Sequence, residues 1–368
     1  MTVDTLLNGL SRRPDIATAE LRAWDAADRY LLDTAAPLLS DRATEVVVIG
    51  DTHGALTLGA LALGAQQVRV QTDSLVAERA LQANAAELGE SRFTLHPLDE
   101  VVTAASRLVL LRLPRALDHL DAIVREIARA CPSDVVVLAG NMLKHMTPTQ
   151  NDVLRESFEQ VDVSLARGKA RLLTAQRPRA VSSRPPTETR IDELDLTIVA
   201  LAGVFAGASL DIGTRAMLEV ADQWPAYERA IDLGCGTGVL ATTLARREPG
   251  AHVIASDISA VAVASAALTA QANGVAIEAV RDDGLSLQPH GSADLIVLNP
   301  PFHVGAAVHT GVAERLFVEA ARVLRPGGQL WAVWNSHLAH TPALERAVGS
   351  TRQASRTPKF TVTVSRKR

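Results

Sequence analysis

The stretch richest in chemistry is Asp294-Leu-Ile-Val-Leu-Asn-Pro-Pro-Phe-His303. The apolar run Leu295–Leu298 reads as a buried strand that stops at Asn299. Two prolines follow at once, and neither has an N–H for a sheet ladder. The chain therefore leaves the sheet through a stiff corner. Asn299 and the carbonyl of Pro300 are offered there as hydrogen-bond acceptors, with the flat ring of Phe302 beside them. Such a corner receives a planar group that carries an NH2. His303 follows it and reads either as a contact to that group or a phosphate, or as a polar loop residue.

A second signal lies upstream, Ile231-Asp-Leu-Gly-Cys-Gly-Thr-Gly238. An apolar strand runs into a glycine turn and then a helix from Val239. Glycines at Gly234, Gly236 and Gly238 allow close approach of backbone to a ligand and torsions closed to other residues. A dinucleotide turn places a glycine at position 239, where this chain has Val239. Asp232 stands just before the turn. An acid there suits a cofactor with a positively charged amino-acid end better than a pyrophosphate. Asp257 closes the next strand, where an acid can accept both ribose hydroxyls. Asp282-Asp283-Gly284 follows a third strand, Ile277–Val280. Asp283, directly before the glycine, is the residue placed to meet an adenine amino group. Asp257 also reads as a helix N-terminal acid, and Asp283 as a solvated turn acid.

Strands and helices alternate around these motifs with short loops, which predicts an α/β fold with parallel, doubly wound sheets. Helices are predicted over 17–36, 55–63, 75–87 and 117–130. Strands are predicted over 45–50, 68–73, 106–113 and 134–139. The second half repeats the first. Ala230–Gly234 matches Val46–Gly50, Val253–Asp257 matches Arg69–Asp73, and Leu295–Leu298 matches Leu108–Leu111. The offsets stay near-constant: 234 − 50 = 184, 301 − 114 = 187, 359 − 169 = 190. That implies an internal duplication. The expected organisation is a first domain at 1–180, a linker at 181–190 and a second domain at 191–368. The linker expectation rests on Pro178, Pro185 and Pro186 among Ser, Thr and Arg. From Arg167 to Arg190 there are seven basic residues against one acid, Glu188. They read as a solvated linker or as a basic strip facing RNA. Phe360–Val364 is expected as a last strand, with Ser365–Arg368 a basic tail.

A chain of 368 residues, 47% hydrophobic and 21% charged, has ample material for two cores. A net charge of −4 means that any nucleic-acid partner must meet a local patch. Cys131 and Cys235 form no metal-ligand pattern, so a reduced, cytoplasmic protein without a metal is expected. His337 and His340 read as surface histidines. No stretch of about 18 apolar residues suggests a membrane span, and the N-terminal residues do not read as a signal peptide. A monomer is expected.

Asp-Leu-Gly-Cys-Gly-Thr-Gly with Asn-Pro-Pro-Phe resembles the class I S-adenosylmethionine-dependent methyltransferases that modify an amino nitrogen. Leu210-Asp-Ile-Gly-Thr-Arg215 and Asn299–His303 narrow the resemblance to the ribosomal RNA guanine-N2 methyltransferases with two tandem domains. The large-subunit (23S) type is nearer than the small-subunit (16S) type, through Trp24–Leu32, Gly54–Leu56 and Lys169–Arg171. The resemblance implies two Rossmann-like domains with S-adenosyl-L-methionine as cofactor and ribosomal RNA as partner. Asp232 and the glycines would line the methionine end, with Gly213 and Thr214 closing it from the other side. Asp257 would take the ribose and Asp283 the adenine. The acidic pair Asp282-Asp283 departs from the family's pattern of polar residues.

On this reading Asn299 and Pro300 aim the guanine amine and Phe302 stacks on the base, worth about 1–3 kcal/mol. Adenine N6 or a protein glutamine N5 also suit the corner, and a non-catalytic RNA-binding protein is the alternative of another class. The first half lacks the equipment. Its turn is Gly50-Asp-Thr-His-Gly54, Asp232 becomes Val48, and the corner becomes Arg112-Leu-Pro-Arg115. The first domain is expected to be degenerate and to hold no cofactor. Arg112 and Arg115 read as RNA-phosphate contacts or as ordinary surface arginines.

Overall fold

The computed structural model describes residues 2–15, 21–39, 45–300 and 306–368, with the backbone alone for 306–310. The chain divides into two compact units, Met1–Pro185 and Pro186–Arg368.

The first unit contains α1 (Val3–Gly9), α2 (Ala26–Leu39), β1 (Val46–Ile49), α3 (Ala55–Ala62), β2 (Val68–Gln71), α4 (Leu75–Leu88), β3 (Phe93–Leu95), α5 (Leu98–Val101), β4 (Leu108–Arg112), α6 (Leu117–Ala130), β5 (Val136–Met142), α7 (Thr149–Ser157), β6 (Phe158–Val163) and β7 (Ala170–Pro178). The second contains the hairpin β8 (Thr187–Ile191) and β9 (Leu196–Ala200), then α8 (Ile212–Leu218), β10 (Arg229–Leu233), α9 (Val239–Arg247), β11 (His252–Asp257), α10 (Ala260–Ala272), β12 (Glu278–Arg281), β13 (Ala293–Leu298), α11 (Ala306–Val323), β14 (Leu324–Asn335), α12 (Thr341–Ala347), β15 (Thr351–Arg356) and β16 (Phe360–Arg366).

Each unit is built on a seven-stranded sheet of one topology, β3-β2-β1-β4-β5-β7-β6 and β12-β11-β10-β13-β14-β16-β15. The first five strands of each run parallel; β7 and β16 run antiparallel to both of their neighbours, so the edge strands β6 and β15 point the same way as the five. The duplication read from near-constant offsets is therefore a duplication of topology. β13 is buried throughout, and β4 in all but its last residue, as expected of central parallel strands covered on both faces. Each sheet has a core on either side. In the second unit, Leu240, Leu244 and Trp331 pack on one face, and Phe317, Ile296 and Trp334 on the other.

Three sequence expectations need correction. The helix expected over 17–36 is helix from Ala26 and loop over 21–25, while 17–20 lie outside the described residues. Asp25 ends the preceding loop by accepting the Ala27 and Asp28 N–H groups, so the apolar spacing of Leu21 and Trp24 belongs to loop. The linker expected over 181–190 ends in β8, because Thr187–Ile191 pairs with β9. Proline and arginine content signalled exposure there, which an edge hairpin shares. The expected basic tail is partly strand, since Ser365 and Arg366 belong to β16.

The hairpin docks in an unforeseen way. Ser265 and Thr269 on α10 and Asn273 at its C-cap, four residues apart, form a polar stripe. They accept the N–H groups of Leu201, Val199 and Thr197 at 2.9–3.0 Å. Side chains on a helix thus satisfy a strand's backbone. That anchors the segment leading from β9 to α8.

Candidate active site

In an open α/β sheet, ligands bind beyond the carboxyl ends of the strands, where the strand order reverses. In the second unit this point lies between β10 and β13, whose register pairs Leu233 with Leu298. The glycine turn and Asn299 therefore leave the sheet side by side. A cleft of about 430 Å³, open solvent at its mouth included, is lined there by Asp211, Thr214, Asp232, Gly234, Gly236 and Asn299, with Phe205 and Ser209 from the segment after β9.

All three turn glycines have positive φ, at 74°, 52° and 75°. Their reasons differ. A Cβ on Gly238 would lie 2.7 Å from Cα of Ala266, so this glycine lets α9 pack against α10. A Cβ on Gly236 would meet nothing within 4 Å, so it opens onto space a ligand can use.

Asp232 is fully buried. Its Oδ2 accepts the Ala241 N–H at 2.9 Å, and its Oδ1 has no hydrogen-bond partner. Burial pushes its carboxyl up to about 7; the Ala241 N–H opposes this and the charge of Asp257 adds to it. A buried acceptor facing a cleft, with a glycine turn beside it, fits a cofactor with a cationic amino group.

Asp257 accepts the Gly236 N–H at 3.1 Å and the Ser259 N–H at 3.0 Å. The adjacent acids diverge. Asp282 turns inward to the Ser286 hydroxyl and to the Leu287 N–H at 2.9 Å. Asp283 forms an ion pair with Arg315 of α11 at 2.7 Å. Asp257 and Asp283 do not line the cleft itself.

Asn299 Nδ2 donates to Asp211 Oδ2 at 2.9 Å and to Thr214 Oγ1 at 3.1 Å. Asn299 Oδ1 is buried and has no hydrogen-bond partner. Gly213 is glycine for a steric reason, because a Cβ there would stand 3.0 Å from Asp211 Oδ2 and 3.1 Å from Asn299 Oδ1. Asp211 also caps α8 through the Thr214 N–H at 3.1 Å. The motif reading counted Gly213 and Thr214 but not Asp211. Its signal was present as an N-cap acid two residues before the glycine. Pro300 is buried at the corner, and Pro301, Phe302 and His303 lie outside the described residues.

The same corner in the first unit is closed. Arg112, in register with Asn299, pairs with Asp25 at 2.5 Å and with Asp28 at 3.1 Å. It is engaged internally, which corrects both of its readings, as a phosphate contact and as an ordinary surface arginine. Asp51 fills the turn by accepting the N–H groups of Gly54 and Thr57 and the Thr57 hydroxyl. Three of the seven basic residues expected as a strip hold carboxylates: Arg167 with Asp33, Arg184 with Asp121, and Arg190 with Asp195. His340 is buried edge-on to Phe317 and Trp334, not on the surface. Among the described residues no cluster of His, Cys, Asp or Glu is arranged to hold a metal.

Two sheets of one topology, one closed at its corner and one carrying a glycine turn beside Asn299, define a tandem-domain class I methyltransferase. The methyltransferase small domain family matches residues 195–364, and the RLMG N-terminal domain family matches residues 2–179. The ribosomal RNA large subunit methyltransferase G of Stutzerimonas stutzeri (strain A1501) is 37% identical over 363 residues, 96% of this chain and 95% of that one. The protein of the same name from Streptomyces avermitilis is 36% identical over 365 residues, covering 96% and 95%. The fold matches that of the T. Thermophilus 16S rRNA N2 G1207 methyltransferase RsmC, solved with AdoMet and guanosine. That match has a TM-score of 0.77 at 24% identity and covers both chains completely. The chain belongs to the ribosomal RNA large subunit methyltransferase G family.

Proposed function

We propose that this chain transfers a methyl group from S-adenosyl-L-methionine to the exocyclic N2 amine of a guanine in large-subunit ribosomal RNA. The observation that carries the reading is Asn299 Oδ1, a buried acceptor without a partner at the mouth of a glycine-turn cleft. Full-length kinship to large-subunit methyltransferases supports guanine and ribosomal RNA over the other amines the corner suits.

Asp232 Oδ1 would hold the cofactor's amino group, the turn glycines its methionine end, Asp257 its ribose and Asp283 the neighbourhood of its adenine. When bound, the cofactor supplies an electrophilic methyl group on a sulfonium, itself a good leaving group. The guanine amine is a weak nucleophile because its lone pair is delocalised into the ring. Asn299 Oδ1 and the Pro300 carbonyl accept its two N–H hydrogens and aim the lone pair. On the sequence reading Phe302, outside the described residues, would stack on the base. Positioning does most of the work, and no strong general base is required. A guanine stacked in a helix must first be flipped out.

The first unit, residues 1–180 on the sequence reading, serves RNA contact and not cofactor binding. Its closed corner carries a cationic edge. Arg115 Nη2 lies 3.2 Å from His145 Nε2, and Lys144 is the next residue. The Leu143 N–H donates to the Lys169 carbonyl at 2.8 Å, which brings Lys169 and Arg171 alongside. Arg115, Lys144 and Lys169 are exposed and hold no carboxylate among the described residues. Lys169 has a φ of 65°, an uncommon conformation for lysine at a hairpin tip. The Nε of Arg171 is buried without a hydrogen-bond partner. Such an edge suits the phosphate backbone. Two free cysteines, Cys131 and Cys235, fit work in the reducing cytoplasm, where ribosomal RNA is made. No helix among the described residues is long and apolar enough to cross a membrane.

The test is nucleoside mass spectrometry of ribosomal RNA from a deletion strain. Loss of one N2-methylguanosine from the large-subunit RNA is expected. An unchanged profile would refute the reading, and loss of a methylated adenine would redirect it.

A further inference from the structure

An asparagine amide can present either its oxygen or its NH2, and the two look alike in shape. Only the oxygen can accept an N–H from an amine substrate. Something must therefore decide which end of Asn299 faces the cleft.

Three observations bear on that choice. Asp211 Oδ2 stands 2.9 Å from one end of the amide, and an ionised carboxylate only accepts hydrogen bonds, so that end must be the NH2. Thr214 Oγ1 accepts from the same nitrogen at 3.1 Å. The opposite end, Oδ1, is left buried with no partner. The reversed amide would set oxygen against carboxylate.

The first unit repeats the arrangement. Offsets 211 − 25 = 186, 214 − 28 = 186 and 299 − 112 = 187 bring Asp25, Asp28 and Arg112 into register with Asp211, Thr214 and Asn299. Asp25 caps α2 as Asp211 caps α8, and it grips Arg112 as Asp211 grips Asn299. The cap-and-grip aspartate is present in both copies, but only the copy with an amide keeps a spare acceptor.

We propose that Asp211 is a positioning residue for methyl transfer: with Thr214 it locks the Asn299 amide so that Oδ1 faces the substrate amine. Asp211 thereby sets the specificity of the corner for N–H donors. The inference rests on the reading of Asn299 as the acceptor of the substrate's amine.

The experiment compares Asp211→Ser, Asp211→Asn, Thr214→Val and Asn299→Ala in the full chain, with methyl transfer to ribosomal RNA and cofactor affinity measured for each. Serine caps a helix well but is too short to reach Asn299. Asp211→Ser is expected to lower kcat at least tenfold, with cofactor Kd and melting temperature nearly unchanged. Asp211→Asn, which can return an oxygen to the same place, should recover much of that loss. Thr214→Val, which leaves the capping N–H intact, should lower kcat by a smaller factor. Should Asp211→Ser not fold, Thr214→Val and the Asp211→Asn variant still decide. Near wild-type kcat in Asp211→Ser or Thr214→Val, alongside loss of activity in Asn299→Ala, would overturn the lock. Loss of cofactor affinity in parallel with kcat would overturn it too, by assigning Asp211 to the cofactor. An Asn299→Ala enzyme with normal kcat would instead defeat the reading of Asn299 itself.

Discussion

At the scale of single residues, the cleft is organised by two buried acceptors, Asp232 Oδ1 and Asn299 Oδ1. Leaving a buried acceptor unpaired costs about 1–3 kcal/mol, so a ligand that supplies donors recovers that penalty. Asp232 adds a pH dependence. Its carboxyl is pushed up to about 7 by burial. Below that pH it is protonated in the cofactor-free protein, whereas a cationic amino group favours the carboxylate. Binding should therefore release a proton at pH 6, and affinity should rise up to about pH 7 and then level. Calorimetric titrations at pH 6 in two buffers of different ionisation heat measure this directly. Wild-type binding without proton release would contradict the assignment, and Asp232→Asn should lose the release. The sequence made Asn299 and Asp232 legible through the motifs around them. It did not make Asp211 legible as a partner of Asn299, because 88 residues separate the two.

At the scale of elements, the two units show how one corner is kept open or closed. In both, a glycine with positive φ caps the helix after the turn, Gly54 before α3 and Gly238 before α9. In the first, Arg112 fills the space with an ion pair to Asp25 and Asp28. Arg112→Met would strip the cation from Asp28, whose carboxyl burial already pushes up to about 7, so that the acid escapes part of the penalty by taking up a proton. A cost of about 3 kcal/mol is expected, the low end for a broken buried pair because Asp25 is more than a third exposed. Chemical denaturation would show it as an earlier transition of the first unit, with cofactor affinity of the second unchanged. An unaltered midpoint would mean that the pair adds nothing net. Helix boundaries such as α6, Leu117–Ala130, were readable because one face repeats apolar residues. The hairpin β8–β9 was not, because its backbone is satisfied by α10 side chains some 70 residues away.

At the scale of the molecule, a chain of net charge −4 must meet RNA through a local field. Charge reversal at Arg115→Glu and Lys144→Glu should raise KM for ribosomal RNA about tenfold with kcat unchanged. It should also flatten the salt dependence of RNA binding by about 1.4 log units per log unit of salt, at about 0.7 per single-strand phosphate contact. Filter binding across a salt series measures this. An unchanged slope would remove the edge from the RNA interface.

The amino-acid sequence by itself determined the alternation of strands and helices, the duplication and the two motifs of the second unit. These depend on local periodicity and on residues whose backbone requirements do not change with context. It also carried the loss of the middle glycine in the first copy. Only tertiary structure decided what became of the vestigial corner and which end of Asn299 is spare. Both depend on which carboxylate lies within 3 Å, Asp25 for Arg112 and Asp211 for Asn299. Hydrogen bonds and ion pairs act over a few ångströms, and spacing along the chain says nothing of such distances until the sheet has brought its strand ends together.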